Sequence, residues 1–181
     1  MDESTAELVR RAQCGDCEAF AVLYDRHARL VRAVCYDATG DAGLAEDQAQ
    51  DVFLRVYQKL VQLREPERFV PWLAEIARRV GRDWRRRPRR QFTGDLHALN
   101  HQDVSNALAD EQHDQLDALR CALRALPDRE RLALHLFYLE EQPAETARRT
   151  LGLSPAGFYK LLDRARRRTG EIMRRNQETC R

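Results

Sequence analysis

The chain has 181 residues, 43% of them apolar and 33% charged, which is the composition of a folded protein rather than a disordered one. That length allows one medium domain or two small ones, each with a modest core. It contains no run of about 18 apolar residues, so no membrane-spanning helix is expected. Residues 1–10 begin acidic and lack an apolar stretch, which is not the pattern of a secretory signal, so a cytoplasmic address is expected. The formal net charge of +2 conceals a strong segregation. Residues 78–90 hold eight Arg and one acid, residues 91–119 hold six acids and no Lys or Arg, and residues 160–175 hold seven basic residues against two acids. Two basic blocks flanking an acidic bridge are the pattern of two contacts with a polyanion, although Arg-rich helices also occur as plain solvated faces.

In chain order, Ser4-Thr5-Ala6-Glu7 has the form of a capping box and opens a short helix that Gly15 can close. The next helix carries Phe20, Leu23, Tyr24, His27, Leu30, Val31, Val34 and Cys35 at spacings of three and four, and ends near Gly40. Asp41 is a suitable N-cap for a third helix, which places Ala45, Ala49, Val52, Val56, Leu60 and Leu63 inward, with Phe53 and Tyr57 widening the stripe. Residues 64–68 form a loop around Pro66. A fourth helix presents Phe69, Trp72, Leu73, Ile76, Ala77 and Val80 to the core, runs into the basic block and stops at Pro88. These four helices, within residues 1–90, make the first domain.

Residues 91–112 lack a sustained apolar period and read as a flexible acidic linker. The second domain, residues 113–181, begins with Leu116, Leu119, Leu123 and Leu126, and Pro127-Asp128 then restarts a helix through Leu132, Leu136 and Phe137. Pro143 opens a short helix that ends near Thr150. After the turn Leu151-Gly152-Leu153, Ser154 is an N-cap and Pro155 the first position of the last helix. Two helices joined by a Gly-containing turn, the second of them basic, form a helix-turn-helix pattern. The fold class is therefore all-α, with two small helical domains.

The third helix has a second stripe, facing away from its core: Glu46, Asp47, Gln50, Asp51, Leu54, Arg55 and Gln58. Acids near a helix start also suit the macrodipole, but an apolar residue ringed by charges is what a protein interface presents. Five cysteines without a secretion signal argue against a disulfide framework. Cys14 and Cys17 have metal-like spacing without a second pair, so no metal and no cofactor are expected.

Residues 45–57, AEDQAQDVFLRVY, resemble the polymerase-binding helix of the extracytoplasmic-function RNA polymerase sigma factors of bacteria. The resemblance continues through residues 69–78, FVPWLAEIAR, resumes at residues 125–131, ALPDRER, and at Leu151-Gly152-Leu153-Ser154, and closes at residues 163–166, DRAR. The motifs occur in family order over residues 20–87 and 117–173, and the ordered set is far more specific than any one of them.

The resemblance implies a protein that catalyses nothing itself. It would bind the β′ and β subunits of core RNA polymerase, recognise −10 and −35 promoter elements, and help to melt the former. It also implies an anti-sigma factor as a further partner. Glu46, Asp47, Gln50, Asp51, Leu54 and Arg55 would meet the polymerase. Arg64, Arg68, Phe69, Trp72, Arg78, Arg79, Arg82, Arg85 and Arg86 would meet the −10 region, with aromatic and Arg planes for unpaired bases and Arg charges for phosphates. Ser154, Pro155, Ala156, Tyr159, Lys160, Asp163, Arg164 and Arg167 would meet the −35 element. Two departures stand out. Arg79 occupies a position where family members often carry Asn, and an Arg offers no acceptor to a base. Tyr159 and Leu161 stand where Lys and Arg are common, which implies a −35 preference of this chain's own. Two other readings are a DNA-binding regulator that acts without polymerase and a thiol or zinc sensor built on Cys14 and Cys17.

Overall fold

The Ser4 hydroxyl accepts from the Glu7 amide at 3.3 Å, and the Glu7 carboxylate accepts from the Ser4 amide at 3.0 Å. This reciprocal pairing satisfies donors that the first turn of a helix leaves free, and α1 runs from it over Thr5–Gln13. Asp16 caps α2 (Cys17–Thr39) by accepting from the amides of Glu18 and Ala19. Those bonds, the Ala19 one foremost, and Arg11 beside it hold the Asp16 carboxyl below its ordinary value. Gly40 closes α2 at φ +73°, a left-handed conformation that side chains disfavour, with its amide on the Tyr36 carbonyl at 2.8 Å. Asp41 then caps α3 (Ala42–Lys59), accepting from the Leu44 amide at 2.8 Å.

The computed structural model describes residues 3–86, 107–140 and 143–179. After α3, two short 3-10 turns, Leu60–Gln62 and Pro66–Arg68, lead into α4 (Phe69–Arg86). Leu23, Leu30, Val31 and Val34 of α2 pack with Ala49, Val52 and Val56 of α3 and with Leu73, Ala77 and Val80 of α4. The apolar positions expected from spacing are thus buried or partly buried, with Tyr57 as the exception: it is half exposed, its ring centroid 4.9 Å from that of Phe20. A Cβ added to Gly81 would fall 2.8 Å from that of Ala38, so α2 and α4 cross there almost backbone to backbone.

The part read from the sequence as a second domain consists of α5 (Ala107–Ala125), α6 (Asp128–Leu139), α7 (Pro143–Leu151) and α8 (Pro155–Thr179). Its core is Ala122, Leu126, Leu132, Leu136, Ala147, Phe158, Leu161, Leu162 and Ala165. Gly152, at φ +63°, turns the chain between α7 and α8, and the Ser154 hydroxyl accepts from the Gly157 amide at 3.2 Å. All described elements are helical, as the sequence implied, and no strand occurs among the described residues. One boundary differs: α5 opens at Ala107, inside the stretch read as linker. Ala, Leu, Glu and Gln are strong helix formers even where no apolar period is present. Leu116, expected in the core, is exposed on α5. The rest of the acidic stretch, together with Arg87, Arg89 and Arg90 of the basic block, lies outside the described residues.

The two domains touch. α6 packs on α2 and α7 packs on α4, an arrangement that apolar periodicity does not encode.

Candidate polymerase and nucleic-acid surfaces

Because α3 turns Ala45, Ala49, Val52 and Val56 inward, its 3.6-residue period puts Asp47, Gln50 and Leu54 outward. Leu54 is 56% exposed, and Tyr57 and Val61 continue the same apolar ridge by steps of three and four. Glu46 and Asp51, on the flanks, are partly occupied within the chain. Glu46 pairs with Arg32 at 2.5 Å, and that hydrogen bond pushes the Arg32 guanidinium further up. Asp51 pairs with Arg55 at 2.9 Å, one helical turn on. Asp47 and Gln50 stand exposed. An apolar ridge with an acidic rim on a rigid helix is suited to a basic or amphipathic partner helix.

The region read as −10-facing divides in two. Arg64, Arg79, Arg82, Arg85 and Arg86 are exposed, Arg78 is half-buried, and Glu75 holds Arg82 at 2.8 Å. Arg68 is exposed and pairs with Glu65 at 2.9 Å. Phe69 is only 1% exposed, its ring 5.5 Å from His27 and 6.2 Å from Trp72. In this arrangement Phe69 is a core residue and offers no ring face to a base, whereas Trp72 is partly buried. The helix needs an apolar first turn to seat on α2, and Phe69 supplies it.

On α8, Phe158, Leu161 and Leu162 point inward, while Pro155, Ala156, Tyr159, Lys160 and Asp163 point outward, as their spacing requires. Ser154 lies exposed at the helix start. The basic run that follows is less uniform than its sequence. Arg164 Nε and Arg168 donate to the same oxygen of Glu130, each at 2.7 Å, and Glu130 is almost fully buried. Arg166 lies over the rings of Phe137 and Tyr138 at 5.1 and 5.5 Å. Arg167, 4.0 Å from Asp163, remains well exposed. Arg164 therefore braces α8 against α6 in this structure, while Lys160, Arg167, Arg174 and Arg175 are among the exposed cations of the helix.

Residues 23–91 match the family model for sigma-70 region 2. The chain is 38% identical over 162 residues to the probable RNA polymerase sigma factor RfaY of Xanthomonas campestris pv. campestris, a match covering 86% of this chain and 40% of that protein. It is 30% identical over 155 residues to the ECF RNA polymerase sigma factor SigM of Bacillus subtilis, covering 84% of this chain and 94% of SigM. The chain belongs to the ECF RNA polymerase sigma factors. Members of this family direct promoter-specific transcription initiation. The structure of CnrH in complex with the cytosolic domain of CnrY superimposes with a TM-score of 0.66 at 21% identity, covering 94% of this chain and 97% of that one, a likeness of fold.

Within this sigma-factor fold several polar side chains hold positions that sequence reasoning did not single out. Arg131 donates to the Arg124 carbonyl at 2.8 Å, closing the end of α5, and its Nε reaches Asp37 of the first domain at 2.8 Å. His135 Nε2 lies 3.0 Å from the same carboxylate. His27, expected only as a member of an apolar stripe, places Nδ1 3.0 Å from Glu140. Cys35 is buried, and desolvation, with Asp37, Asp51 and Glu46 adding to it, pushes its thiol up to about 12. Cys14 and Cys17 are exposed at the α1–α2 junction. Among the described residues no helix is long and apolar enough to cross a membrane.

Proposed function

We propose that the chain is a promoter-specific initiation factor that docks on core RNA polymerase through the outward face of α3. Leu54, exposed in the middle of a polar stripe, is the observation that carries this reading. Asp47, Gln50, Glu46, Asp51 and Arg55 form the rim of the contact with the β′ subunit. The first domain then meets the −10 element through residues 64–68, Trp72 and the arginines 78, 79, 82, 85 and 86, which neutralise phosphates and stack on unpaired bases. In the second domain α7 and α8 serve as the helix-turn-helix for the −35 element. The N-terminal residues of the second helix in such a motif reach base edges. Here Tyr159 offers a ring suited to a thymine methyl, and Lys160 a donor to guanine or phosphate.

The protein works in the cytoplasm, contributes binding rather than bond chemistry, and is held in check by an anti-sigma partner. Titration of core polymerase in a pull-down tests the central contact. Asp47→Lys with Asp51→Lys should weaken core binding at least tenfold while helicity and melting temperature stay near those of the parent. Unchanged core affinity in the folded variant overturns the assignment.

A further inference from the structure

The segment between α3 and α4, residues 60–68, is held from outside by one face of α1. Gln13 is the last residue of α1, and its Nε2 donates to the Leu60 carbonyl at 2.9 Å and to the Leu63 carbonyl at 2.8 Å. Both partners are carbonyls, so only the NH2 end of the amide, with its two hydrogens, can meet them. Arg10, three residues earlier on the same face, pairs with Glu67 near the far end of the segment. That pair is exposed and contributes little, whereas the two Gln13 bonds are partly buried. The strut itself is firm: Leu8 and Val9 are buried, and α1 packs on α2.

The two carbonyls lie where the chain leaves regular helix. Leu60 opens the 3-10 turn Leu60–Gln62, the Leu63 backbone is extended at φ −75° and ψ 102°, and the Leu63 amide donates back to the Leu60 carbonyl at 3.0 Å. Leu60 is buried and Leu63 partly so. Their side chains hold the base of the loop from within, and Gln13 holds its backbone. From this point the chain runs into Arg64, Glu65 and Arg68, all exposed. Local bonds tie this outer part together: the Arg68 amide meets the Glu65 carbonyl at 2.9 Å, and the Arg68 side chain meets the Glu65 carboxylate at 2.9 Å. Bonds internal to a loop give it shape, but its direction is set where its base is fixed.

We propose that Gln13 is a positioning residue for −10 recognition. It touches no DNA; it fixes the path on which Arg64 and Arg68 leave α3, and so sharpens discrimination among −10 sequences. The proposal rests on the assignment of residues 64–68 to the −10 element made under Proposed function. Gln13 lies outside residues 23–91, the stretch that matches the family model, so a determinant on α1 is added to that assignment. Losing one neutral hydrogen bond of ordinary strength shifts a local opening equilibrium by about fivefold. A loop freed in this way meets right and wrong bases with more nearly equal affinity, and specificity is the difference between the two. Phosphate contacts carry no sequence information and are unaffected. Loss of the amide therefore flattens the −10 preference without abolishing binding.

The test uses the full chain with three replacements. Gln13→Met keeps the shape of the side chain without its donors, Gln13→Glu puts acceptors opposite the two carbonyls, and Gln13→Lys restores donors. In the free protein, hydrogen exchange of the amides in residues 61–68 should accelerate about tenfold in the Met and Glu variants, as expected for the loss of one to two bonds. Exchange in the buried stretches of α2 and α4 should stay at the parent's rate, and Gln13→Lys should restore most of the loop protection. With core polymerase, selection from promoters randomised over the −10 element should show the preference of the Met variant for its best sequence reduced at least about fivefold. Its −35 preference and core affinity should match the parent's, and the Lys variant should select as the parent does. Unchanged loop exchange in both the Met and Glu variants overturns the anchor. An unchanged −10 preference in a variant whose loop exchange has risen overturns the role in recognition. Arg64→Ala with Arg68→Ala separates this from the assignment beneath it. If that pair alters the −10 preference and Gln13→Met does not, the loop reads the element without Gln13. If the pair leaves the preference unchanged, the −10 assignment of the loop fails, and the recognition role of Gln13 falls with it.

Discussion

Glu130 gives the sharpest quantitative test of the second domain. Its buried carboxylate accepts two charge-assisted bonds at 2.7 Å on one oxygen, from Arg164 and Arg168 of α8. Such bonds contribute about 1.5–3 kcal/mol each when isolated. Here both arginine side chains are about half exposed, so water recovers much of their solvation on release, and the desolvated carboxylate offsets part of the rest. A net contribution of about 2 kcal/mol follows for Glu130→Gln, which keeps the shape and one acceptor but loses the charge. For a domain of this size that lowers the melting temperature by about 10 °C. Hydrogen exchange of α6 and α8 should accelerate accordingly. Both tryptophans, Trp72 and Trp84, belong to the first domain, so the unfolding transition followed by their fluorescence should move much less. Freed arginines would also steepen the salt dependence of duplex binding by up to about 0.9 in log–log slope for each phosphate gained. A variant within about 0.5 kcal/mol of the parent and with an unchanged salt slope would refute this bracing role. It would return Arg164 to the DNA-anchoring role implied by its place in the sequence.

Gly81→Ala should destabilise the first domain by about 1–2 kcal/mol, because the new methyl meets Ala38 and overpacking outweighs the helix propensity gained; adding Ala38→Gly should restore most of the loss in urea unfolding. Iodoacetamide at pH 8 should alkylate Cys14, Cys17 and Cys121 and spare Cys35, as peptide mass spectrometry would read. With its folded pKa raised to about 12, the Cys35 thiol stays neutral and unreactive well above pH 9, and labelling should appear only on unfolding. In binding selections with the holoenzyme, Tyr159→Ala and Lys160→Ala should each change the −35 sequence recovered, and an unchanged sequence places base readout on other residues.

Local features of the fold were legible because their chemistry is local. Ser4, Asp41 and Ser154 each bond to an amide three residues on, and such caps are written within one turn of sequence. The 3.6-residue period likewise separated Phe158, Leu161 and Leu162 from Tyr159 and Lys160, and Val52 and Val56 from Leu54. What periodicity did not reveal are polar contacts between distant segments. His27 and Glu140 are 113 residues apart, and Asp37 and His135 are 98 apart. Each residue taken alone looks like an ordinary surface or stripe position. The basic run of α8 shows the same limit, since nothing local distinguishes Arg164, turned to a buried Glu130, from Arg167, turned to solvent. Phe69 illustrates the reverse case: its spacing placed it on the core stripe of α4, where it is buried, and only the family resemblance had set it against DNA.

Transcription in vitro from genomic templates, with purified core polymerase and this chain, measures the central claim directly. Core alone should give no discrete promoter transcripts, and adding the chain should produce a defined set of start sites sharing spaced −35 and −10 sequences. Leu54→Asp, which places a charge at the centre of the exposed ridge of α3, should abolish the set while leaving the helicity of the protein intact. Transcription that is indifferent to the chain, or that survives Leu54→Asp at full strength, would contradict the account.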